Sequence, residues 1–185
     1  MKRGDDNVMK LYIILFVFLF SIILSFGLTS AATRTCSSCG NCTAEVGNSS
    51  AGDVVQLNQS VNSSVTCINF GTKSNVIFDC QNYANFIQGS ASVSSYGINL
   101  NSVNYNTVRN CNVSQFYFGM VLTYTSNNNL TNLIISNNSH TGVSLYGSSN
   151  NNFTNSIVRE NRIYDINIDT CNNYITNITG SGGRA

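Results

Sequence analysis

Charge is what this chain has least of. Only 9% of its 185 residues are charged, eight acidic and nine basic, for a net charge of +1. Beyond Ala32 the balance is Arg34, Lys73, Arg109, Arg159, Arg162 and Arg184 against Glu45, Asp53, Asp79, Glu160, Asp165 and Asp169. With no basic stripe, counterion release cannot drive nucleic-acid binding, and that partner class is excluded. Histidine is represented by His140 alone, and methionine by three residues, so no His/Met cluster exists to handle a soft metal. Helical spacing is missing too: after the N-terminal region no run keeps apolar residues three and four apart over ten or more positions.

What is present is a repeat. Gly97-Ile98-Asn99-Leu100 returns as Gly119-Met120-Val121-Leu122, Gly142-Val143-Ser144-Leu145 and Asp165-Ile166-Asn167-Ile168, in steps of 22, 23 and 23 residues. A fixed period of this size means a stack in which each repeat buries its apolar face against its neighbours. Apolar columns run through it: Ile98/Met120/Val143/Ile166, Leu100/Leu122/Leu145/Ile168, Val108/Leu130/Phe153/Ile175, Cys111/Leu133/Ser156/Ile178 and Val113/Ile135/Val158. Within a repeat these positions pair at a spacing of two, the alternation of a strand with one face inward.

Two asparagine columns accompany them, Asn106/Asn128/Asn151/Asn173 and Asn110/Asn132/Asn155/Asn177. Asparagine tolerates left-handed backbone at turns. In strands stacked about 4.8 Å apart its amide can also bond to the equivalent amide one coil away. These eight of the 30 asparagines are predicted to be structural ladders rather than ligands.

The Gly-Ile-x-Leu … Asn-x-Val-x-Asn-x-x-Val pattern resembles the repeats of the NosD-like and pectate-lyase-like right-handed parallel β-helix families. The segment Cys42-Thr43-Ala44-Glu45-Val46 … Gly52-Asp53-Val54-Val55-Gln56-Leu57 is similar to their opening motif, a short capping helix leading through a Gly-Asp turn into the first strand. The resemblance spans roughly residues 42 to 179. It implies an all-β solenoid of 22–23-residue coils with a short N-terminal capping helix, preceded by an apolar leader helix. One such fold hosts many activities, so the resemblance specifies fold more than function.

The leader runs from Leu11 to Leu28, almost wholly apolar, behind Lys2, Arg3 and Lys10. Thr29-Ser30-Ala31-Ala32 offers the small residues that signal peptidase needs, with cleavage after Ala32. The run also approaches the length that spans a bilayer. Residues 1–32 therefore read as a signal peptide or a membrane anchor, 33–60 as a cysteine-rich cap and first strand, 61–179 as β-helix coils, and 180–185 as an unstructured end with truncation favoured. Either leader reading places the repeats outside the cytoplasm, secreted or at the cell surface. There the nine Asn-x-Ser/Thr sequons, at Asn41, Asn48, Asn58, Asn62, Asn112, Asn129, Asn137, Asn152 and Asn177, are candidate glycan acceptors.

Seven cysteines follow the leader. Cys36-x-x-Cys39-x-x-Cys42 carries a metal-ligand spacing, with Cys67 available as a fourth thiolate, but export favours disulfides. The expected bridges are Cys42–Cys67, pinning the cap over the core, then Cys36–Cys39 with each other or a partner chain. Cys80 and Cys111 share a column, because Asn75-x-Ile77-x-Asp79-Cys80 matches Asn106-x-Val108-x-Asn110-Cys111, and read either as a third bridge or as inward-facing free thiols. With seven, at least one cysteine has no intrachain partner.

Catalytic residues are hard to assemble. Lyases of the resembled families hold calcium with several carboxylates and use an Arg or Lys base, and the hydrolases use grouped aspartates. Here Asp79 stands alone. The one charged cluster is Arg159, Glu160, Arg162, Asp165 and Asp169, which reads as surface ion pairing worth little, with Asp165 filling the repeat's Gly slot. His140 reads as an exposed loop residue. No catalytic residue, metal ligand or cofactor is assigned.

Aromatic residues in turns are the better candidates, since exposed rings beside amides and hydroxyls form a platform for sugar rings. The long step between Cys80 and Cys111 predicts a loop over residues 83 to 96, and such insertions emerge on one face, often the binding face. Tyr83, Phe86, Tyr96, Tyr117 and Tyr124 are the predicted carbohydrate contacts. The sequence thus points to an exported, non-catalytic module with a structural, adhesive or glycan-binding role, its partner an extracellular glycan or envelope component, joined to the membrane if the leader is uncleaved. The alternatives are a fragment of a polysaccharide lyase or glycoside hydrolase lacking its catalytic coils, and a NosD-type metal-handling accessory.

Overall fold

A computed structural model describes residues 9–16, 30–81, 85–170 and 172–180. Residues 9–16 are helical and exposed in a unit of their own, while the unit beginning at Ala31 holds the repeats. Among the described residues no helix is long and apolar enough to cross a membrane. Tyr83, Cys171, residues 181–185 and most of the apolar leader lie outside the described residues.

The repeat unit is a parallel β-solenoid. It opens with β1 (Thr33–Cys36) and α1 (Cys39–Asn48), then β2 (Val54–Leu57), β3 (Val61–Asn62) and β4 (Ile68–Asn69). The second coil holds β5 (Ile77–Asp79), β6 (Phe86–Gln88) and β7 (Tyr96–Asn101), and the third β8 (Thr107–Arg109), β9 (Asn112–Ser114) and β10 (Phe118–Thr123). β11 (Asn129–Thr131), β12 (Ile134–Ser136), β13 (Thr141–Tyr146), β14 (Asn152–Arg159), β15 (Tyr164–Ile168) and β16 (Tyr174–Thr179) complete it. Every pairing between these strands is parallel and joins one coil to the next. The strands form one sheet of eleven, whose two ladders meet in β14, and one of five in the order β15-β13-β10-β7-β4.

The apolar columns are the core. Ile98, Met120 and Val143 are opposite one another with Ile166 above them, and Val108, Leu130 and Phe153 likewise with Ile175. All but the two uppermost isoleucines are buried. The first amide ladder is buried with them. Asn128 Oδ1 accepts the Asn106 backbone N–H at 2.8 Å, Asn151 Oδ1 that of Asn128 at 3.0 Å, and Asn173 Oδ1 that of Asn151 at 3.0 Å. The second runs through turns: Asn110, Asn132, Asn155 and Asn177 have φ of 59°, 53°, 50° and 53°. In it Asn132 Nδ2 donates to Asn110 Oδ1 at 3.3 Å and Asn177 Nδ2 to Asn155 Oδ1 at 2.7 Å. The left-handed turn and the neighbouring amide both select asparagine.

Three of the sequence expectations change. First, the cysteine pairing of the cap is different: Cys36 bonds Cys42, and Cys39 bonds Cys67. Cys42 and Val46, four residues apart on α1, both point into the core, where Cys42 meets Cys36 at the end of β1. Cys39, at the start of the helix, is the residue that reaches β4's approach, so it does the pinning expected of Cys42. Thr43 reinforces it, donating to the Cys67 carbonyl at 3.0 Å and accepting the Asn69 N–H at 3.1 Å.

Second, β5 sits one residue off the expected column. Ile77 lies opposite Thr107 and Phe78 opposite Val108, so Phe78 is the buried residue and Val76, not Asn75, occupies the ladder slot. The Val76 N–H donates to Asn106 Oδ1 at 2.9 Å. A one-residue slip exchanges the two faces of a strand, and burying Phe78 sets the register. Cys80 and Cys111 are still bridged, with Cα atoms 4.8 Å apart.

Third, the predicted loop over 83 to 96 is interrupted. β6 crosses it, with Ile87 in the core opposite Val61 and Val113. β1 was also missed: it pairs with β2 and is tied down by Asp53, whose Oδ1 accepts the Ala32 N–H at 2.7 Å.

Candidate functional site

The outward face of the five-stranded sheet is built from the residues the core leaves over. Its central column is Asn69, Asn99, Val121, Ser144 and Asn167, each opposite the next. A second column holds Asn101, Thr123 and Tyr146. At the edge where strands enter, Tyr96 is opposite Phe118, then Thr141 and Tyr164. Apart from Val121 the face is amide, hydroxyl and ring, with no charged side chain in these columns.

Aromatic rings gather at both margins. At the entry edge Tyr96 and Phe118 have ring centroids 5.7 Å apart, Tyr117 meets Phe118 edge-on at 5.0 Å, and His140 lies 4.7 Å from Tyr117 and 5.0 Å from Phe118. Such spacings are those of mutually attractive ring pairs. His140 is half-buried in this cluster rather than a free loop residue, with Nδ1 2.9 Å from Thr141 Oγ1. At the exit edge Tyr124 and Tyr146 meet edge-on at 5.6 Å, 62% and 53% exposed. A hydrogen bond with Tyr146 pushes the Tyr124 phenol up from its ordinary pKa, and the nearby charges of Tyr146 and Asp169 add to the effect.

Buried polar side chains tie down the turns through which the strands enter this sheet. Asn138 Oδ1 accepts the Phe116 N–H at 3.0 Å, and Asn161 Oδ1 accepts both the N–H and the amide of Asn138, at 3.1 and 2.8 Å. Asp165 Oδ1 then takes the same two bonds from Asn161, at 3.2 and 3.0 Å. This third ladder went unread in the sequence, although Asn138 and Asn161 are 23 residues apart. It explains the repeat's glycine. A Cβ on Gly119 would lie 2.7 Å from both Asn138 Nδ2 and the Gly142 carbonyl, and one on Gly142 would lie 2.6 Å from Asn161 Nδ2. In the last coil Asp165 stands in that slot, with its side chain in the ladder's acceptor position.

The charged cluster of the sequence is dispersed. Arg159 pairs with Glu160 at 3.7 Å, both about half exposed. Asp165 is buried rather than on the surface, and its Oδ1 accepts from Asn161. Asp169 Oδ1 accepts the Gly147 N–H at 2.9 Å. Asp79, expected to stand alone, is bonded to Arg109 at 2.8 Å and to Asn110 at 3.0 Å. Burial pushes its carboxyl up, but Asn110, the Gln81 N–H and Arg109 together hold it below the ordinary value. Asp53 is held low by the N–H groups of Ser50 and Ala32, with Arg34 helping. Both carboxylates are structural. Among the described residues no group of three His, Cys, Asp or Glu side chains is placed to hold a metal ion.

Of the five predicted contacts, Tyr96 and Tyr117 share one margin of the face and Tyr124 lies at the other. Phe86 is on β6, in the other sheet, and is not part of this face. Phe118, Tyr146 and Tyr164, legible as turn aromatics but not among the five contacts, also border it, as does His140. The 22–23-residue step that relates Tyr96, Phe118, Thr141 and Tyr164 was the available signal.

Residues 35–183 match the family described as "Right handed beta helix region". The chain belongs to this right-handed β-helix family. No curated protein sequence matches it. Among solved structures it is similar to the crystal structure of alginate lyase from Paenibacillus sp. str. FPU-7, with a TM-score of 0.65 and 15% identity. The similarity covers 80% of this chain and 57% of that one, so the chain spans little more than half the enzyme's length. At this identity the likeness is one of fold. In this β-helix protein, three disulfides point to an extracytoplasmic setting.

Proposed function

We propose that this chain is an exported, non-catalytic β-helix module that binds a glycan on the outward face of its five-stranded sheet, in an adhesive or structural role at the cell surface. The observation that carries the reading is the pairing of two aromatic margins with a rigid strip of amides and hydroxyls between them. Rings that present their faces beside fixed hydrogen-bonding groups suit sugars, whose two sides are apolar C–H and polar hydroxyl. Parallel strand pairing and the ladders in the flanking turns order the strip before any ligand arrives, which lowers the cost of ordering on binding. Export, by a cleaved signal peptide or a retained anchor in residues 1–32, is consistent with the disulfides.

The test is binding of an oligosaccharide panel by calorimetry or affinity electrophoresis, with Tyr96→Ala, Tyr117→Ala and Tyr124→Ala compared against Phe86→Ala. Loss of binding in the first three with retention in the fourth supports this face. Uniform retention removes it as the site.

The similarity in fold to an alginate lyase supports a second reading, a polysaccharide lyase or hydrolase. It separates from the first by product: release of unsaturated ends or reducing ends by the purified chain, lost on Tyr117→Phe or His140→Ala, would replace a binding module with an enzyme.

A further inference from the structure

The charge of a surface limits which glycan it can hold. Each uronate in a polyuronate carries a carboxylate that must shed water to dock, and that loss is recovered only against a cation or a dense set of donors. Paired guanidinium groups are the usual solution, since their fork matches a carboxylate.

Among the solenoid's described residues, every cation except Arg162 is engaged away from this face. Arg34 is engaged with Glu45 at 3.4 Å and Asp53 at 3.3 Å in the N-terminal cap. Lys73 Nζ donates to the Ser49 carbonyl at 3.1 Å, at the C-terminal end of α1. Arg109 lies on β8, in the other sheet, and holds Asp79. Arg159 belongs to β14, also in that sheet, and faces Glu160. Arg162 is the one cation in a turn bordering the face, just before Tyr164, and has contacts of its own. At the opposite margin the nearest charge is Asp169, which has the wrong sign for a polyanion.

The strip itself consists of Asn69, Asn99, Val121, Ser144 and Asn167, flanked by rings. Neutral donors and acceptors of this kind bond hydroxyls both ways, whereas a carboxylate accepts only. Resting on the carbohydrate-face reading, we infer that the face takes a neutral glycan and discriminates against polyuronates, in contrast to the substrate named for the structurally similar alginate lyase. The selectivity arises from omission: a charged ligand would leave its carboxylates desolvated and uncompensated along the central column.

The experiment measures affinity of the whole chain, at low salt, for neutral β-glucan, mannan and xylan oligosaccharides and for alginate and polygalacturonate oligosaccharides. At least one neutral series is expected to bind, with the uronates about tenfold weaker or more. Ser144→Arg, in the middle of the strip, is expected to raise uronate affinity about tenfold without changing the circular dichroism. Uronate binding equal to or tighter than neutral binding, and weakened by Tyr96→Ala or Tyr117→Ala, overturns the neutral preference while leaving the carbohydrate face standing. Binding of neither class overturns both.

Discussion

Asn128 is the residue on which the ladder argument can be tested hardest. Its side chain is 1% exposed and sits midway along the first ladder. Its amide donates to Asn151 Oδ1 at 2.9 Å and Thr125 Oγ1 at 2.7 Å, while its carbonyl oxygen accepts the Asn106 N–H at 2.8 Å. Replacing it with alanine leaves the Asn106 N–H buried without an acceptor, at a cost of about 1–3 kcal/mol. Losing the donated bonds adds about 1 kcal/mol more. Asn128→Ala is therefore expected to destabilise by about 2–4 kcal/mol, and to lower Tm by roughly 5–15 °C for a domain of this size. Asn177 provides the contrast, because it is exposed and its one ladder bond is at the end of its column. Asn177→Ala is expected to cost only about 1 kcal/mol, mostly from placing alanine at its left-handed φ of 53°. Urea and thermal unfolding with the disulfides intact measure both. Equal costs for the two variants would refute the claim that burial of the ladder gives it its value.

Gly119→Ala should destabilise by about 1–3 kcal/mol, because its Cβ would fall within 2.7 Å of the Gly142 carbonyl and 2.5 Å of Ile135 Cγ2; unchanged urea unfolding would contradict the close approach. Cys80 and Cys111 close a loop of 31 residues, so Cys80→Ser/Cys111→Ser should lose roughly 3–4 kcal/mol by loop-closure entropy. Non-reducing peptide mapping should also recover Cys36–Cys42 and Cys39–Cys67 peptides, and a Cys42–Cys67 peptide would overturn the cap arrangement. The folded-state pKa values of Asp53 and Asp79 are depressed, so their stabilisation is complete above the unfolded value of about 3.9 and is lost as pH falls through the lower folded values. Stability is therefore expected to hold from pH 7 to 5 and to drop in acid, with a shallower drop in Asp79→Asn.

Much of the fold was legible because a stack repeats its environment. Residues 22 or 23 apart occupy the same place in successive coils, so Ile98, Met120 and Val143 report one another's burial. The same holds for Asn106, Asn128 and Asn151. Reading failed where the period fails. In the second coil the step widens, and the placement of β5 was decided by Phe78 and the Asn106 amide rather than by the matching of Cys80 to Cys111. The cap has no repeat to compare with, and its cysteine partners depend on which side of α1 each faces.

The candidate site was less legible for a related reason. Tyr96, Tyr117 and Tyr124 were identifiable as turn aromatics, but a ring at an edge and a ring in a turn look alike in sequence. His140 was read as a loop residue, since its neighbours Tyr117 and Phe118 lie one coil away. Phe86 was assigned to a loop that turned out to contain a strand.

By itself the sequence determined a parallel stack with an apolar interior, amide ladders and a neutral exterior, because periodicity and alternation alone specify which side chains can be buried together. Tertiary structure decided the cysteine partners, the register of β5, the withdrawal of Asp165 from the surface and the convergence of rings along one sheet. These depend on which side of α1 each cysteine faces and on distances within and between coils, which a linear pattern does not carry.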